Sequence, residues 1–218
     1  MIPLRDVIPS RTTPYITVTI ISLNAFAWVY ELVLPPEELT RFLQAFGVVP
    51  AQFQPPTLIT SMFLHGSWSH VVGNMWYLWI FGDNVEDRVG HVRFAAFYLL
   101  CGLVAAVGQI VMDPDAALPM IGASGAIAGV MGAYFVLYPR SRVLTLIPLV
   151  IFWEVIEVPA IVLLGFWFLM QLFSAGAIAV TASTAGGIAF TAHVAGFLSG
   201  VVGIYVFRQP RRREGYWA

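Results

Sequence analysis

Ser124, His193, His70 and Asn74 are polar residues that lie within long apolar stretches of the sequence. A serine hydroxyl and an imidazole that come within about 2.6 to 3.2 Å of each other can share a proton, which activates the serine as a nucleophile. His70 and Asn74 stand one helical turn apart, so their side chains could both donate hydrogen bonds to an oxyanion formed beside the serine. Together these residue types indicate acyl transfer by a serine and a histidine.

Each of these residues has a common structural explanation when it is taken alone. A serine in a spanning helix usually bonds to the carbonyl group four residues earlier or packs as a small residue. The sequence Gly122-Ala123-Ser124-Gly125 is also not the G-x-S-x-G turn of soluble hydrolases. A lone histidine within a membrane could be a metal ligand, a proton relay or an interhelical hydrogen bond. The combination of all four residues favours a catalytic site over these explanations.

The composition predicts an integral membrane protein that forms a single domain over residues 1–218. Hydrophobic residues make up 59% of the chain and charged residues only 11%, whereas soluble domains carry about 25% charge. The mean hydropathy is +0.80. A net charge of -1 argues against nucleic acid as a partner, and the sequence predicts no cofactor and no metal site. The lipid bilayer is the expected partner.

The gaps between charged residues predict the membrane spans, because a charged side chain costs about 2.5 to 3.5 kcal/mol at the centre of a spanning helix. The uncharged run 158–207 would form about 75 Å of helix and must double back, and prolines interrupt the run 42–82. The apolar segment 143–158 is too short to span and is expected at the cytoplasmic surface. We predict an all-α polytopic bundle with six spans, at about 12–34, 57–82, 93–112, 120–139, 158–175 and 190–208.

The arginines predict the orientation, since all eleven basic residues are arginine. If the N-terminus is cytoplasmic, ten arginines lie inside and only Arg41 lies outside. Both termini are therefore expected to be cytoplasmic, with spans 2, 4 and 6 running from outside to inside. At about 1.5 Å per residue, the four polar residues named above then share one layer in the outer half of the membrane.

Small residues predict that spans 4 and 6 pack closely against each other. Gly125 and Gly129 stand four residues apart in span 4, and Gly196 and Gly200 have the same spacing in span 6. This spacing lets two helix backbones approach without intervening side chains. The serine on one helix and the histidine on the other could then come within hydrogen-bond distance.

The other polar or reactive residues receive structural interpretations. His65 and His91 lie at or outside the predicted interfaces and are expected to face solvent or lipid headgroups. Gln171 is expected to make an interhelical hydrogen bond, and Cys101 to be a small core residue. No carboxylate accompanies Ser124 and His193 within the spans, since Asp113 and Asp115 lie in the loop before span 4 and Glu154 and Glu157 lie on the other side of the membrane. This predicts a dyad whose histidine is oriented by packing or by a non-acidic partner.

The sequence resembles the rhomboid intramembrane serine proteases over residues 15–207, through the motifs His70-xxx-Asn74, Gly122-Ala123-Ser124-Gly125 and Ala192-His193-xx-Gly196-xxx-Gly200. The resemblance implies that Ser124 is the nucleophile and His193 the general base. It also implies that His70, Asn74 and the backbone N–H of Ser124 form the oxyanion hole. By the same resemblance the substrates are single-pass transmembrane proteins cleaved near the outer face, residues 181–187 form a mobile cap, and the location is a prokaryotic inner membrane.

Two positions depart from the pattern of that family. Gly73 stands where a bulky residue often closes the opening between spans 2 and 5, so it is a gate candidate and predicts a wider lateral entry. Ala128 stands where an aromatic ring can stack on the histidine, which predicts a less rigid His193 unless an aromatic residue on another helix offsets the loss. The loop before span 2 also lacks the Trp-Arg pair of well-known members.

Two other functions compete with proteolysis. A catalytically silent rhomboid-like membrane chaperone would bind client helices without cutting them, but such proteins typically lack the serine or the histidine, and this chain has both. A channel or transporter would need polar residues through the whole membrane, whereas these are expected at one depth. Covalent labelling of Ser124 by a fluorophosphonate probe would favour the protease over these two functions.

Overall fold

The computed structural model describes residues 1–148, 153–181 and 189–209, and most of these residues are helical. Two short 3-10 turns, Pro50–Gln52 and Ser61–Phe63, flank one of the helices. In chain order the elements are β1 (Ile2–Asp6), α1 (Tyr15–Val33), α2 (Pro36–Phe46), α3 (Thr57–Thr60), α4 (Trp68–Val89), α5 (His91–Met112), α6 (Ser124–Leu137), β2 (Arg142–Pro148), β3 (Trp153–Pro159), α7 (Ala160–Thr181) and α8 (Phe190–Phe207).

Among the described residues, four helices are long and apolar enough to cross a membrane: α1, α5, α7 and α8. Helix α6 is apolar but has only 14 residues, and α4 carries several charged residues in its last two turns. These two helices do not meet the same criterion, so the count of six spans stays a prediction. The bundle nevertheless has the long apolar helices that are typical of an integral membrane protein.

The second predicted span begins later than expected. We predicted a helix from residue 57, but residues 57–63 form α3 and a 3-10 turn, and α4 begins only at Trp68. Ser67 starts the helix because its hydroxyl accepts a hydrogen bond from the backbone N–H of His70, at 3.2 Å. The hydropathy of this region carried no signal for that boundary. The shift places His70 in the first turn of α4.

The all-α prediction is wrong in one respect, because β1, β2 and β3 form an antiparallel sheet in that order. Strand β1 pairs with β2 through Ile2 opposite Leu146, and β2 pairs with β3 along seven residues. The segment expected at the cytoplasmic surface, 143–158, supplies most of this sheet. A short apolar segment that cannot span must still pair its backbone groups, and the N-terminal strand provides the partners.

Helix α6 occupies the centre of the bundle and lies against α4, α5, α7 and α8. Nine consecutive residues, Ala126 to Tyr134, are buried. A helix that is apolar on every side can face either lipid or other helices. The glycines of α6, which are Gly125, Gly129 and Gly132, let neighbouring helices approach it closely and surround it. The central position brings the N-terminal end of α6 next to the first turns of α4 and α8.

Helices α6 and α8 meet backbone to backbone at four glycines. A Cβ atom added at Gly196 would overlap the carbonyl oxygen of Gly125, and one added at Gly200 would overlap the carbonyl oxygen of Gly129. Any side chain at either position of α8 would therefore force the two helices apart. This contact sets the distance between the residues at the start of α6 and those of α8.

Strand β1 is tied to the helices through the carboxylate of Asp6. Its Oδ2 accepts hydrogen bonds from the hydroxyl of Tyr134, at 2.7 Å, and from Nδ2 of Asn84, at 2.9 Å. Burial of this carboxyl group raises its pKa above the ordinary value of 3.8, although the bond from Tyr134 acts in the opposite direction. Asp6 thus links the sheet to α4 and α6 at the end of the bundle opposite Ser124.

Candidate active site

Ser124 is the first residue of α6, and the preceding loop is fixed by backbone hydrogen bonds. The N–H of Gly122 donates to the carbonyl of Ser61 at 2.8 Å, and Val48 and Met120 exchange two backbone hydrogen bonds. Gly122 has a φ angle of +119°, which a residue with a side chain rarely adopts. Because the first N–H groups of a helix have no partner within it, the backbone at Ser124 presents unpaired donors.

The hydroxyl of Ser124 and the ring of His193 form a hydrogen bond. Ser124 Oγ lies 2.7 Å from His193 Nε2, although the two residues come from different helices. On the other side of the ring, His193 Nδ1 lies 2.8 Å from Oε1 of Gln171 on α7. An amide oxygen can only accept, so Nδ1 carries the proton and Nε2 is free to accept from the serine hydroxyl. This is the arrangement that a general base requires.

Among the described residues, Ser124 and Gln171 are the hydrogen-bond partners of the His193 ring, and neither is a carboxylate. The interhelical hydrogen bond expected of Gln171 is present, and it falls on the histidine itself. The arrangement therefore lacks the acidic third member of a Ser-His-Asp triad, and an amide orients the ring instead.

Aromatic rings surround His193. The ring of Trp167 on α7 lies 5.8 Å from the His193 ring between centroids, with an interplanar angle of 39°. Phe190, one turn before His193, packs edge to face at 6.5 Å. Trp167 on α7 therefore places an aromatic ring beside His193, although position 128 of α6 is occupied by alanine.

His70 and Asn74 approach the backbone just before Ser124. A Cβ atom at Gly122 would lie 2.6 Å from His70 Nε2 and 3.7 Å from Asn74 Nδ2, so both side chains reach the same peptide unit. The ring of His70, the amide of Asn74 and the start of α6 thus enclose a small space beside Ser124. N–H groups that point into this space can donate hydrogen bonds to a negative charge that forms there.

His65 was expected to face solvent or headgroups, and this expectation is wrong. Its side chain is only 1% exposed. His65 Nε2 lies 2.9 Å from Asn74 Nδ2, and its ring packs edge to face on the ring of His70 at 4.9 Å. Residues 57–67 fold into short turns against the bundle rather than continuing a helix outward, and this brings His65 inside. The sequence holds no periodic signal for such a loop.

A cavity of about 1060 Å³ opens onto the site and is lined by Ser124, His193, His70, Asn74, Gly73 and Trp167, among others. A Cβ atom added at Gly73 would meet nothing within 4 Å. The gate candidate therefore borders open space in the cavity wall. The cap expected at 181–187 falls almost wholly on residues 182–188, outside the described part of the chain.

Comparison with known protein families adds an independent finding. The family model for the Rhomboid domain matches residues 52–210, well over half of the chain. The matched segment contains every helix from α3 to α8, including the turns that carry Ser124 and His193. Together with the apolar helices, this match identifies the chain as an integral membrane protein.

Several curated relatives also match. Rhomboid protease GluP from Bacillus subtilis (strain 168) is 37% identical over 98 residues, which are 43% of this chain and 19% of that protein. Rhomboid protein 1, mitochondrial, from Saccharomyces cerevisiae is 29% identical over 110 residues, 48% of this chain and 32% of the relative. RHOMBOID-like protein 5 from Arabidopsis thaliana is 34% identical over 76 residues, 35% of this chain and 25% of the relative. Each match spans a third or less of the relative's own length.

Proposed function

Because the chain belongs to the Rhomboid family, we propose that it is an intramembrane serine endopeptidase whose catalytic dyad is Ser124 and His193. The observation that carries the proposal is the distance of 2.7 Å between Ser124 Oγ and His193 Nε2, with Nε2 kept unprotonated by the bond from Nδ1 to Gln171. A nucleophile and a base are thereby in contact in the correct tautomer. The similarity to the protease GluP, a member of the same family, also supports an endopeptidase.

The first step is acylation of the serine. Ser124 Oγ attacks the carbonyl carbon of the scissile peptide while its proton passes to His193 Nε2. The resulting imidazolium keeps a hydrogen bond from Nδ1 to Gln171, so the ring stays in place as its charge changes. Collapse of the tetrahedral intermediate breaks the C–N bond, and His193 returns the proton to the leaving amine.

The oxyanion of that intermediate forms beside the first turn of α6. The backbone N–H of Ser124, Nδ2 of Asn74 and the ring of His70 act as donors to it. The positive end of the α6 dipole lies at the same place and favours the negative charge. This set of donors is already assembled before substrate binds, so little reorganisation is needed during reaction.

The second step is hydrolysis of the acyl-enzyme. A water molecule from the cavity of about 1060 Å³ gives a proton to His193 Nε2 and attacks the ester carbonyl. The C–O bond to Ser124 then breaks, and the serine recovers its proton from the histidine. The cavity thus holds both the extended substrate and the water that an apolar bundle would otherwise exclude.

The substrates are transmembrane helices that can unwind, because a peptide bond inside a helix does not expose its carbonyl carbon to Ser124. We place the site in the outer half of a prokaryotic inner membrane with both termini cytoplasmic, since ten of the eleven arginines then lie inside. By the resemblance to the family, single-pass proteins are the expected substrates.

Cleavage of a transmembrane reporter by purified protein in detergent tests the proposal. We expect Ser124→Ala and His193→Ala each to lose about 10⁴-fold or more in kcat, because the two side chains act as a unit. Ser199→Ala is the matched control, since this serine on α8 bonds to the carbonyl of Gly196 in its own helix and should be replaceable. Substantial cleavage by Ser124→Ala would contradict the proposal, and client binding without cleavage by the wild type would favour the silent chaperone.

A further inference from the structure

Three buried polar residues connect the end of α1 with the proposed oxyanion hole. Glu31 and His65 are each 1% exposed and Asn74 is 8% exposed. They come from α1, from the loop before α4, and from α4 itself. Because buried polar groups are costly unless they are bonded, their contacts with one another require an explanation.

The first contact fixes the backbone at His65. Both carboxylate oxygens of Glu31 lie 3.2 Å from the backbone N–H of His65, although 34 residues separate the two in the chain. A carboxyl group has oxygen acceptors in either protonation state, so it can accept this hydrogen bond whether or not it is ionised. Glu31 therefore holds the loop at the point where it turns into α4.

The second contact fixes the amide of Asn74. Its Nδ2 lies 2.9 Å from His65 Nε2, and an amide nitrogen can only donate, so Nε2 accepts and the His65 ring carries its proton on Nδ1. An amide nitrogen has two hydrogens, and the one that His65 accepts leaves the other free for the oxyanion. The same ring packs edge to face on His70, the other proposed donor, at 4.9 Å.

The cost of this arrangement also points to a role beyond packing. The His65 ring is buried, and none of the described side chains bonds to its Nδ1. Burial of an imidazole has a desolvation cost that an apolar side chain of the same size would avoid. An apolar residue at this position could not, however, accept the hydrogen bond from Asn74.

We propose that His65 is a positioning residue that aims the Asn74 amide at the oxyanion, and that Glu31 in turn holds His65. The proposal rests on the proposed function, since it assigns a role in the same reaction. His65 itself touches neither the substrate nor Ser124 in this scheme, and its hydrogen bond acts through Asn74. Replacement of the His65 side chain should therefore lower kcat and leave KM unchanged.

A double-mutant cycle tests this role. The variants are His65→Met, which keeps the volume and leaves only a weak thioether acceptor, and His65→Gln, which keeps an acceptor oxygen, each made with and without Asn74→Ala. We expect His65→Met to lower kcat about tenfold, within the range measured for residues in one hydrogen-bond network. His65→Gln should recover most of that loss. In the Asn74→Ala background, His65→Met should change kcat by less than about twofold.

Equal losses from His65→Met with and without Asn74→Ala would overturn the proposal, because a purely structural histidine would act independently of Asn74. Wild-type kcat in His65→Met would overturn it as well. If His65→Met does not fold, Glu31→Leu takes its place in the same cycle, with Glu31→Gln as the acceptor-keeping control. Ser124→Ala separates the two claims: if it is inactive while the cycle shows no coupling, only the positioning role fails, and if it is active, the proposed function fails.

Discussion

His193 Nδ1 donates a hydrogen bond to Gln171 Oε1 across the gap between α8 and α7, at 2.8 Å. This contact does for His193 what a carboxylate does in a triad, since it selects the tautomer and the ring orientation. A neutral amide achieves this without placing a second charge at membrane depth, where charged groups are expensive.

Replacement of Gln171 tests that role. In Gln171→Leu the Nδ1 proton has no acceptor, so the ring can turn or change tautomer, and we expect kcat to fall about tenfold, the factor that corresponds to a hydrogen bond worth about 1.4 kcal/mol. Gln171→Glu keeps an oxygen acceptor and should retain more activity than Gln171→Leu. Reporter cleavage measures both, and equal activity in Gln171→Leu and wild type would show that packing alone orients His193.

A single methyl group tests the contact between α6 and α8. In Gly196→Ala the new Cβ would overlap the carbonyl oxygen of Gly125, so the helices must separate and the Ser124–His193 hydrogen bond must lengthen. We expect loss of most of the reporter cleavage, although no polar group is removed. Gly176→Ala is the control, because a Cβ there meets nothing within 4 Å. Full activity in Gly196→Ala would mean that the close approach of these helices is not needed.

Substitution of Gly73 distinguishes the entry of a substrate helix from the reaction at Ser124. A phenylalanine at position 73 has open space to occupy and would narrow the cavity wall, so entry of a substrate helix should become slower. We expect Gly73→Phe to lower kcat/KM for a transmembrane substrate and to leave the reaction with a small fluorophosphonate nearly unchanged. If both reactions slowed equally, Gly73 would act on the neighbouring Asn74 instead, and its assignment as a gate would be wrong.

The buried carboxyl of Asp6 predicts a pH dependence of stability. Its pKa is higher in the folded protein than the ordinary 3.8, so the folded state binds this proton more tightly. The contribution of Asp6 to stability is then fully present below about pH 3.8 and is lost as the pH rises through the folded-state pKa. Asp6→Asn keeps an oxygen for Tyr134 but does not titrate.

Thermal unfolding of wild type and Asp6→Asn in detergent checks this dependence. The Tm of the wild type minus that of the variant should decrease as the pH is raised from about 3.5 to about 7. A difference that grows with pH would mean that the folded state prefers the ionised carboxylate, and the direction inferred from burial would be incorrect.

The parts of this structure that the sequence predicts well follow from regular geometry. Long apolar runs locate α1, α5 and α8 because a helix rises by a fixed distance per residue and charged residues mark its ends. The same arithmetic places Ser124 and His193 at similar depth, before anything is known of the helix neighbours.

What the sequence does not predict depends on contacts between distant segments. The sheet was missed in part because one partner of β2, strand β1, lies about 140 residues earlier in the chain. Its other partner, β3, follows it directly, but the two strands lie in the segment that was expected to rest at the membrane surface. The burial of His65 depends on how residues 57–67 pack, and those residues have no periodic pattern. That Gln171 meets His193 depends on how α7 is rotated about its axis, which an almost uniformly apolar helix does not reveal.

Reaction of the purified protein with a fluorophosphonate probe, followed by mass spectrometry of the labelled peptide, tests the central claim most directly. We expect one covalent adduct per chain, located on Ser124, absent in Ser124→Ala and strongly reduced in His193→Ala because the hydroxyl then has no base. An adduct that persists in Ser124→Ala, or a wild-type protein that carries none on Ser124, would contradict the assignment of Ser124 as an activated nucleophile.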